Sequence, residues 1–386
     1  MSSYRLGFVF DYELGHVTHQ KNLDRYISED QSIRPEWILI PPRTNDRWDR
    51  IPKIKNHLPL RQSLRARPAI RKAHQLAPLD GVYCHTQVMA MLGTGLPRRI
   101  PLVISLDATP IDFAKLGAYH AGGKPIDHRA GGFKFRWGQR TFSRAMALVT
   151  QSAWCKRSLV NDYRIEASRV AVIPPGVDLD SWKPSTKPPL EKRRARLLFV
   201  GGAFGRKGGN FMLDAFTNGL TDTCELDIVS NDAPDSSHPQ IRVHRGMTPG
   251  SAELRALFDQ ADLFLFPSLG DCTPWATVEA MASGLPIIAT PIGGVPEQVE
   301  DGVNGRMVPP GDSAAIVAAV KAMIEDPTKR LAMGTAGRER AEKWFDAQRN
   351  YRSLVSLLKG VVDASRQQTA VPSASQFGLS IPMATR

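Results

Sequence analysis

Residues 267–311 read PSLGDCTPWATVEAMASGLPIIATPIGGVPEQVEDGVNGRMVPPG. Apolar runs alternate there with turns marked by glycine and proline, in the order strand end, loop, helix, strand, loop. Thr273 suits an N-cap and Pro274 a first helical position, so a helix is predicted over 274–283. Asp271 then lies in the loop before the helix. Glu279, eight residues later, falls about a turn and a half inside it. Two carboxylates beside the amides of a helix N-terminus suit a ligand bearing both hydroxyls and phosphates. Solvated acids around an ordinary strand–helix turn are the plain alternative.

The same alternation extends in both directions. Short apolar strands are predicted near 6–10, 37–40, 81–84, 102–106, 148–150 and 170–173, then near 197–200, 226–229, 241–243, 263–266, 286–289 and 306–308. Helical spacing fills the gaps, for example over 60–76, 133–144, 153–163, 209–216, 251–259 and 314–325. Strands alternating with helices imply parallel sheets covered on both faces. The expected fold class is therefore α/β, with two doubly wound Rossmann-like domains facing a central cleft. Residues 1–178 form the first domain, a proline- and lysine-rich linker spans 179–195, and residues 196–345 form the second. Two closing helices are predicted over 329–345 and 347–362, packing back on the rest. The second is treated as a crossing helix over 346–363, and residues 364–386 as a disordered tail.

At 386 residues two domains fit the size prior, and 42% hydrophobic with 23% charged residues is ordinary for a soluble protein. No apolar run approaches a membrane span, and MSSYRLGFVFDYELGH lacks the basic start and apolar core of a signal peptide. The four cysteines are scattered without a CxxC pair, which points to reduced thiols in a cytoplasmic protein. The net charge of +12 is uneven: residues 1–190 carry 29 Lys and Arg against 16 Asp and Glu. Ten of those cations fall between Arg43 and Lys72, interleaved with Trp48, Ile51, Ile54, Leu58, Leu60 and Leu64. Such a mixture suits an anionic acceptor or an anionic membrane surface. A solvated basic helix is the competing reading, and prolines at 52, 59 and 68 argue against one long amphipathic helix. No nucleic-acid motif accompanies the charge, so nucleic acid is not an expected partner.

A phosphate-binding candidate stands at FVGGAFGRKGG, residues 199–209. Gly201 and Gly202 permit close backbone approach, and Arg206 and Lys207 can neutralise a diphosphate. The loop is neither a Walker A sequence nor a GxGxxG dinucleotide fingerprint, which disfavours an oxidoreductase. In the first half, Gly15 and His16 follow the first strand and are expected on a loop. There Gly15 would admit phosphate or acceptor, and His16 would bind acceptor. Asp107 closes the strand LVISLD; it either meets the substrate or caps the next segment. A base pocket is expected by position near Ser230-Asn231 and Arg245-Gly246-Met247. Asp178-Leu179-Asp180 is read as a turn and not as a metal-binding DxD. His120 and His128 have no readable placement.

Taken in order, strand–GG–Arg206-Lys207–helix, then Asp271-x7-Glu279-Ala-Met-Ala-x-Gly-x-Pro, then Gly293-Gly294-x-Pro-Glu resembles the retaining family-four glycosyltransferases (glycosyl transferases group 1) of GT-B fold. The resemblance is specific over 195–312 and looser over 145–180. It implies transfer of a sugar from a nucleotide-diphosphate sugar to a carbohydrate or lipid-linked acceptor. Arg206 and Lys207 would stabilise the leaving diphosphate, Glu279 would hold the ribose, and Asp271, where the family has Glu, would contact the sugar. Asp107 stands where the family often has His near the transferred sugar, and is a further catalytic candidate. Gly15, Gly201, Gly202, Thr273 and Pro274 join Glu279 as donor-binding candidates. The resemblance implies no cofactor and no metal, because the nucleotide sugar is a substrate and the two cations serve the phosphates. The expected location is cytoplasmic, with membrane association through the basic first domain. A GT-B protein that binds a sugar nucleotide without transferring it, and an inverting transferase of the same fold, are the alternatives.

Overall fold

A strand paired in parallel on both edges and covered by helices on both faces must be apolar along its whole length. Twelve parallel strands, eight of them paired on both edges, form in the computed structural model, which describes residues 3–11, 14–117, 132–186 and 193–381. β1 (Tyr4–Asp11), β2 (Ile33–Ile40), β3 (Gly81–His85), β4 (Leu102–Leu106), β5 (Ala147–Thr150) and β6 (Val170–Val172) make one all-parallel sheet in the order β2-β1-β3-β4-β5-β6. β7 (Ala195–Val200), β8 (Cys224–Val229), β9 (Ile241–His244), β10 (Leu263–Phe266), β11 (Ile287–Ala289) and β12 (Gly305–Met307) make a second, ordered β12-β11-β10-β7-β8-β9. All twelve fall where the apolar runs predicted them. The chain divides into two compact units, one centred on residues up to 112, 132–175 and 348–380, the other on 176–347.

In the N-terminal unit the core lies under helix Leu58–Leu76, with Ile70, Val82, Cys84, Ile104 and Phe142 buried together. Pro68 lies within that 19-residue helix, predicted over 60–76, and the basic run forms three separate helices and not one long one. Pro68 is on the exposed side, where a carbonyl that has lost its N–H partner can be hydrated. Pro52 and Pro59 occupy first-turn positions of their own helices, Pro52–Lys55 and Leu58–Leu76. Part of the basic run turns inward: Arg61 pairs with Asp49 at 2.8 Å, and Arg65 with Asp46 and Asp49, each at 2.8 Å. The Arg65 guanidinium holds the Asp46 carboxyl well below the usual carboxylate range.

Gly15 and His16 were expected on a loop, and here the structure corrects the sequence: they begin the helix Leu14–Ile27. Its buried stripe is His19, Leu23 and Ile27, spaced i, i+4, i+8. A histidine in the apolar stripe hides that periodicity. His120 and His128 lie outside the described residues.

The end of the chain also differs from expectation. The last long helix runs Ala347–Gln367, beyond the predicted start of a disordered tail at 364, and a 3-10 turn follows at Ala374–Phe377. From residue 348 this segment belongs to the N-terminal unit. Tyr351 donates to or accepts from His19 Nδ1 at 3.0 Å, Lys359 pairs with Asp30 at 2.6 Å, and Tyr4 donates to Asp363 at 2.9 Å. Leu354, Leu357, Leu358, Val361 and Val362 are buried. Past the helix, the Leu379 amide donates to the Val172 carbonyl at 2.8 Å, extending order along β6. A polar, low-complexity run is ordered here because neighbouring backbone supplies its hydrogen bonds. Among the described residues, no helix is long and apolar enough to cross a membrane.

Terminating the chain after Gln367 should lower the melting temperature of the N-terminal unit by roughly 5 °C, equivalent to about 2 kcal/mol. Leu357→Ala, which empties a fully buried site, should cost about 2–5 kcal/mol in urea unfolding. An unchanged melting temperature for the truncated chain would return residues 368–386 to the status of a passive tail.

Candidate functional site

In a doubly wound sheet, ligands bind beyond the strand C-termini where neighbouring connections leave in opposite directions. For the C-terminal unit that point lies between β7 and β10, since β8 continues on one side and β11 on the other. The glycine-rich loop follows β7, and the Asp271 loop follows β10. The Leu269 amide donates to the Arg206 carbonyl at 2.9 Å, joining the two loops. Lys207 Nζ donates to Asp271 Oδ2, Arg206 Nη1 donates to the Gly270 carbonyl, and Arg206 lies 3.7 Å from the same Asp271 oxygen. The Lys207 ammonium also sits over the Phe266 ring, 5.0 Å from its centroid. Arg206, Lys207 and Asp271 therefore converge.

Backbone approach makes this possible. Gly208 has φ +80, and a Cβ there would lie 1.9 Å from the Pro267 carbonyl oxygen. Gly293 has φ +53, and its Cβ would lie 2.1 Å from the Asp271 carbonyl oxygen. Any larger residue at either position would force the loops apart. The Gly294 amide donates to the Cys272 carbonyl at 2.7 Å, so the Gly293-Gly294 turn closes over the Asp271 loop. Gly201 packs closely against the Lys207 stem, at 3.1 Å from a Cβ position to Cγ, whereas Gly202 faces open space.

The helix after this loop is Trp275–Ala282, one residue shorter at each end than predicted. Thr273 is not its N-cap. Pro274 holds that position with no side-chain capping bond, and the Thr273 hydroxyl is buried without a partner. The reason is local: Thr277 Oγ1 and Gln298 Nε2 both donate to the Pro274 carbonyl, fixing the helix start there. Glu279 is the fifth helical residue and is buried. Its carboxyl has no hydrogen-bond or ion-pair partner among the described residues. Burial pushes it up to about 7. Beyond β8, the Gly246 amide donates to Asn231 Oδ1 at 2.8 Å, and Arg245 donates to the Ala233 carbonyl at 2.7 Å. The positions expected to form a base pocket thus meet.

In the N-terminal unit the equivalent point lies between β1 and β3. Asp11 ends β1, His85 ends β3, and His16 opens the following helix. His16 Nδ1 and Asp11 Oδ1 are 2.5 Å apart, and the His16 and His85 rings meet edge-on at 4.5 Å. His85 stacks on Phe10 and is fully buried, with neither ring nitrogen hydrogen-bonded. Burial, then the neighbouring His16 and His19, drives it well below the usual imidazole range, and burial takes His19 down to about 3. Sequence reasoning found His16 and missed Asp11, His19 and His85. The available signal was a polar residue closing an apolar strand, as in FVFD and VYCH. A side chain at Gly15 would meet open space. Asp107 follows β4 directly and is not the cap of the next helix. Thr109 and Asp112 cap it reciprocally: the Thr109 amide donates to Asp112 Oδ2 at 3.0 Å and the Asp112 amide to Thr109 Oγ1 at 3.1 Å. Asp178 accepts from the Asp180 and Ser181 amides and the Ser181 hydroxyl, forming the expected turn.

Two family descriptions match the chain: Glycosyltransferase Family 4 over residues 30–181 and Glycosyl transferases group 1 over residues 194–326. A curated relative, D-inositol 3-phosphate glycosyltransferase of Corynebacterium aurimucosum, is 27% identical over 231 residues, covering 53% of this chain and 55% of that protein. The chain thus spans about half the length of that relative. Sucrose-phosphate synthase from Thermosynechococcus elongatus superposes with a TM-score of 0.76 at 15% identity, covering 94% of this chain and 100% of that one. HepE of Anabaena, solved in complex with UDP-glucose, superposes with a TM-score of 0.65 at 18% identity, over 92% and 99%. At those identities the structural likeness speaks for the fold alone. Two matched domains on two doubly wound sheets place this chain in the family-four, group-1 glycosyltransferases of GT-B fold.

Proposed function

We propose that the protein moves a sugar from a nucleotide-diphosphate sugar to a carbohydrate or lipid-linked acceptor with retention of anomeric configuration, using no cofactor and no metal. The observation that carries this reading is the meeting of Arg206, Lys207 and Asp271 at the switch point between β7 and β10, with the buried carboxyl of Glu279 on the helix that follows the Asp271 loop.

Charge on the departing diphosphate grows as the bond from the anomeric carbon to the phosphate oxygen lengthens, and the sugar becomes oxocarbenium-like. Arg206 and Lys207 are held before substrate arrives, so they stabilise that charge without reorganising. The electron pair of the broken bond stays on the diphosphate oxygen. The acceptor hydroxyl oxygen bonds to the anomeric carbon on the same face, and its proton passes to a donor phosphate oxygen. Asp271, paired with Lys207, turns to the sugar hydroxyls once phosphate takes over the lysine. Glu279 accepts from the ribose hydroxyls, which supplies the partner its buried carboxyl lacks. The unpaired Thr273 hydroxyl and the helix start at Pro274, together with Gly201 and Gly202, complete the donor site. In the N-terminal unit, Gly15, with open space above its Cα, is assigned to the donor, Asp107 to the sugar, and His16, paired with Asp11, to the acceptor. The basic N-terminal half favours an anionic acceptor or an anionic membrane surface.

Thermal-shift screening against nucleotide sugars should find a ligand that raises the melting temperature, and NMR of the transferred product should show the donor's anomer kept. An inverted product would replace the retaining reading with its inverting counterpart. Lys207→Ala should lower kcat by about 10²–10³-fold while the melting temperature moves by only a few degrees. Glu279 gives a pH signature without substrate. Its folded pKa lies above the unfolded value, so its contribution is full below about pH 4.5 and is lost as pH rises through about 7. Glu279→Gln should therefore be more stable than wild type at pH 8, by up to about 3 kcal/mol, and equal to it near pH 4. Parallel stability curves for the two proteins would show that Glu279 is not desolvated.

A further inference from the structure

Helix Phe133–Arg144 reads FKFRWGQRTFSR and buries only one face, through Thr141 and Phe142. The other face flanks a groove of about 440 Å³ that runs past Met91 and Leu92. Arg136, Arg140 and Arg144 line it at i, i+4, i+8, so their Cα atoms rise by about 6 Å per step along one side. Phe133 and Trp137 line it beside them, one turn apart, with ring centroids 5.2 Å apart and edge-on. Trp137 Nε1 donates to the Met91 carbonyl at 2.8 Å, which fixes the indole plane, whereas Phe133 is 68% exposed. Among the described residues none of the three arginines has a carboxylate partner. All three are surface-exposed, in a half of the chain with a large excess of basic residues.

We propose that this groove binds an acidic saccharide chain, at a site separate from the proposed donor site of the C-terminal unit. The side-chain chemistry selects that class. Arginine presents a planar fork that matches a carboxylate bidentately, and three such forks in a row suit repeated acid groups better than a single anion. The exposed Phe133 ring and the half-buried Trp137 indole beside them offer apolar surface to the C–H faces of sugar rings. A lipid surface would favour a convex face and lysines that follow a diffuse charge, not a groove with a fixed indole. The choice of saccharide over a single-stranded nucleic acid, which also stacks on aromatics beside cations, rests on the glycosyltransferase reading above.

Calorimetric titration of the full chain with oligogalacturonate should show binding that weakens with added salt, with maltoheptaose as the neutral control and showing none. Arg136→Gln/Arg140→Gln/Arg144→Gln should lower oligogalacturonate affinity at least tenfold, and Phe133→Ala by several-fold. Both variants change exposed side chains, and their melting temperatures should match wild type. Wild-type affinity in the triple variant, or equal binding of maltoheptaose, would overturn the proposal. So would arginine-dependent binding of oligo-dT or of phosphatidylglycerol vesicles that exceeds binding of oligogalacturonate. A nucleoside-diphosphate thermal shift on the same samples separates the two readings. A shift without oligogalacturonate binding sinks the groove alone, whereas absence of any shift sinks the proposed transfer.

Discussion

The C-terminal site depends on two glycines that let backbone touch backbone. At Gly208 and Gly293 a methyl group would stand about 2 Å from a carbonyl oxygen of the facing loop, a separation no packing can absorb. Their absent side chains allow the loop after β7, the loop after β10 and the turn after β11 to lie on one another. Only then can Lys207 and Arg206, at the end of one loop, reach Asp271 at the end of another. Besides the aspartate, the Phe266 ring holds Lys207 and the Gly270 carbonyl holds Arg206.

The two units share a layout and differ in electrostatics. In each, the side chains of interest stand at the C-terminal ends of the strands flanking the switch point. The C-terminal unit places cations and carboxylates there. The N-terminal unit places Asp11 and three histidines, two of them kept neutral by burial. The fully buried His85, with both ring nitrogens unbonded, costs stability and also keeps the floor of that end uncharged. His16 Nδ1 lies 2.5 Å from Asp11 Oδ1.

Much of this was readable from residue order. The twelve strands announced themselves because parallel strands buried on both faces leave continuous apolar runs, and Phe133–Arg144 was located to the residue. Arg206, Lys207 and Asp271 were singled out on loops at strand ends and Glu279 by its spacing from Asp271, and the structure brings the first three together. Other elements were hidden for identifiable reasons. The helix Leu14–Ile27 buries a histidine in its stripe and so lacks apolar periodicity. Thr273 has the chemistry of a cap, but Thr277 and Gln298, the latter 24 residues beyond Pro274, settle where the helix begins. Residues 365–381 lack a local pattern because their order comes from contacts with Val172 and its neighbours, far away in the chain, and residues 382–386 lie outside the described residues.

Sequence alone determined the α/β class, the count and order of strands, and the identity of the charged pair and the two acids, because periodicity and turn chemistry are local properties. Tertiary structure decided which of those residues meet, that Glu279 lies buried without a partner, that the last helix completes the N-terminal unit, and that three arginines share one groove. Those are facts of long-range packing: even the arginines, aligned by the period of one helix, line a groove only because Met91 and Leu92, more than forty residues earlier, close its other side.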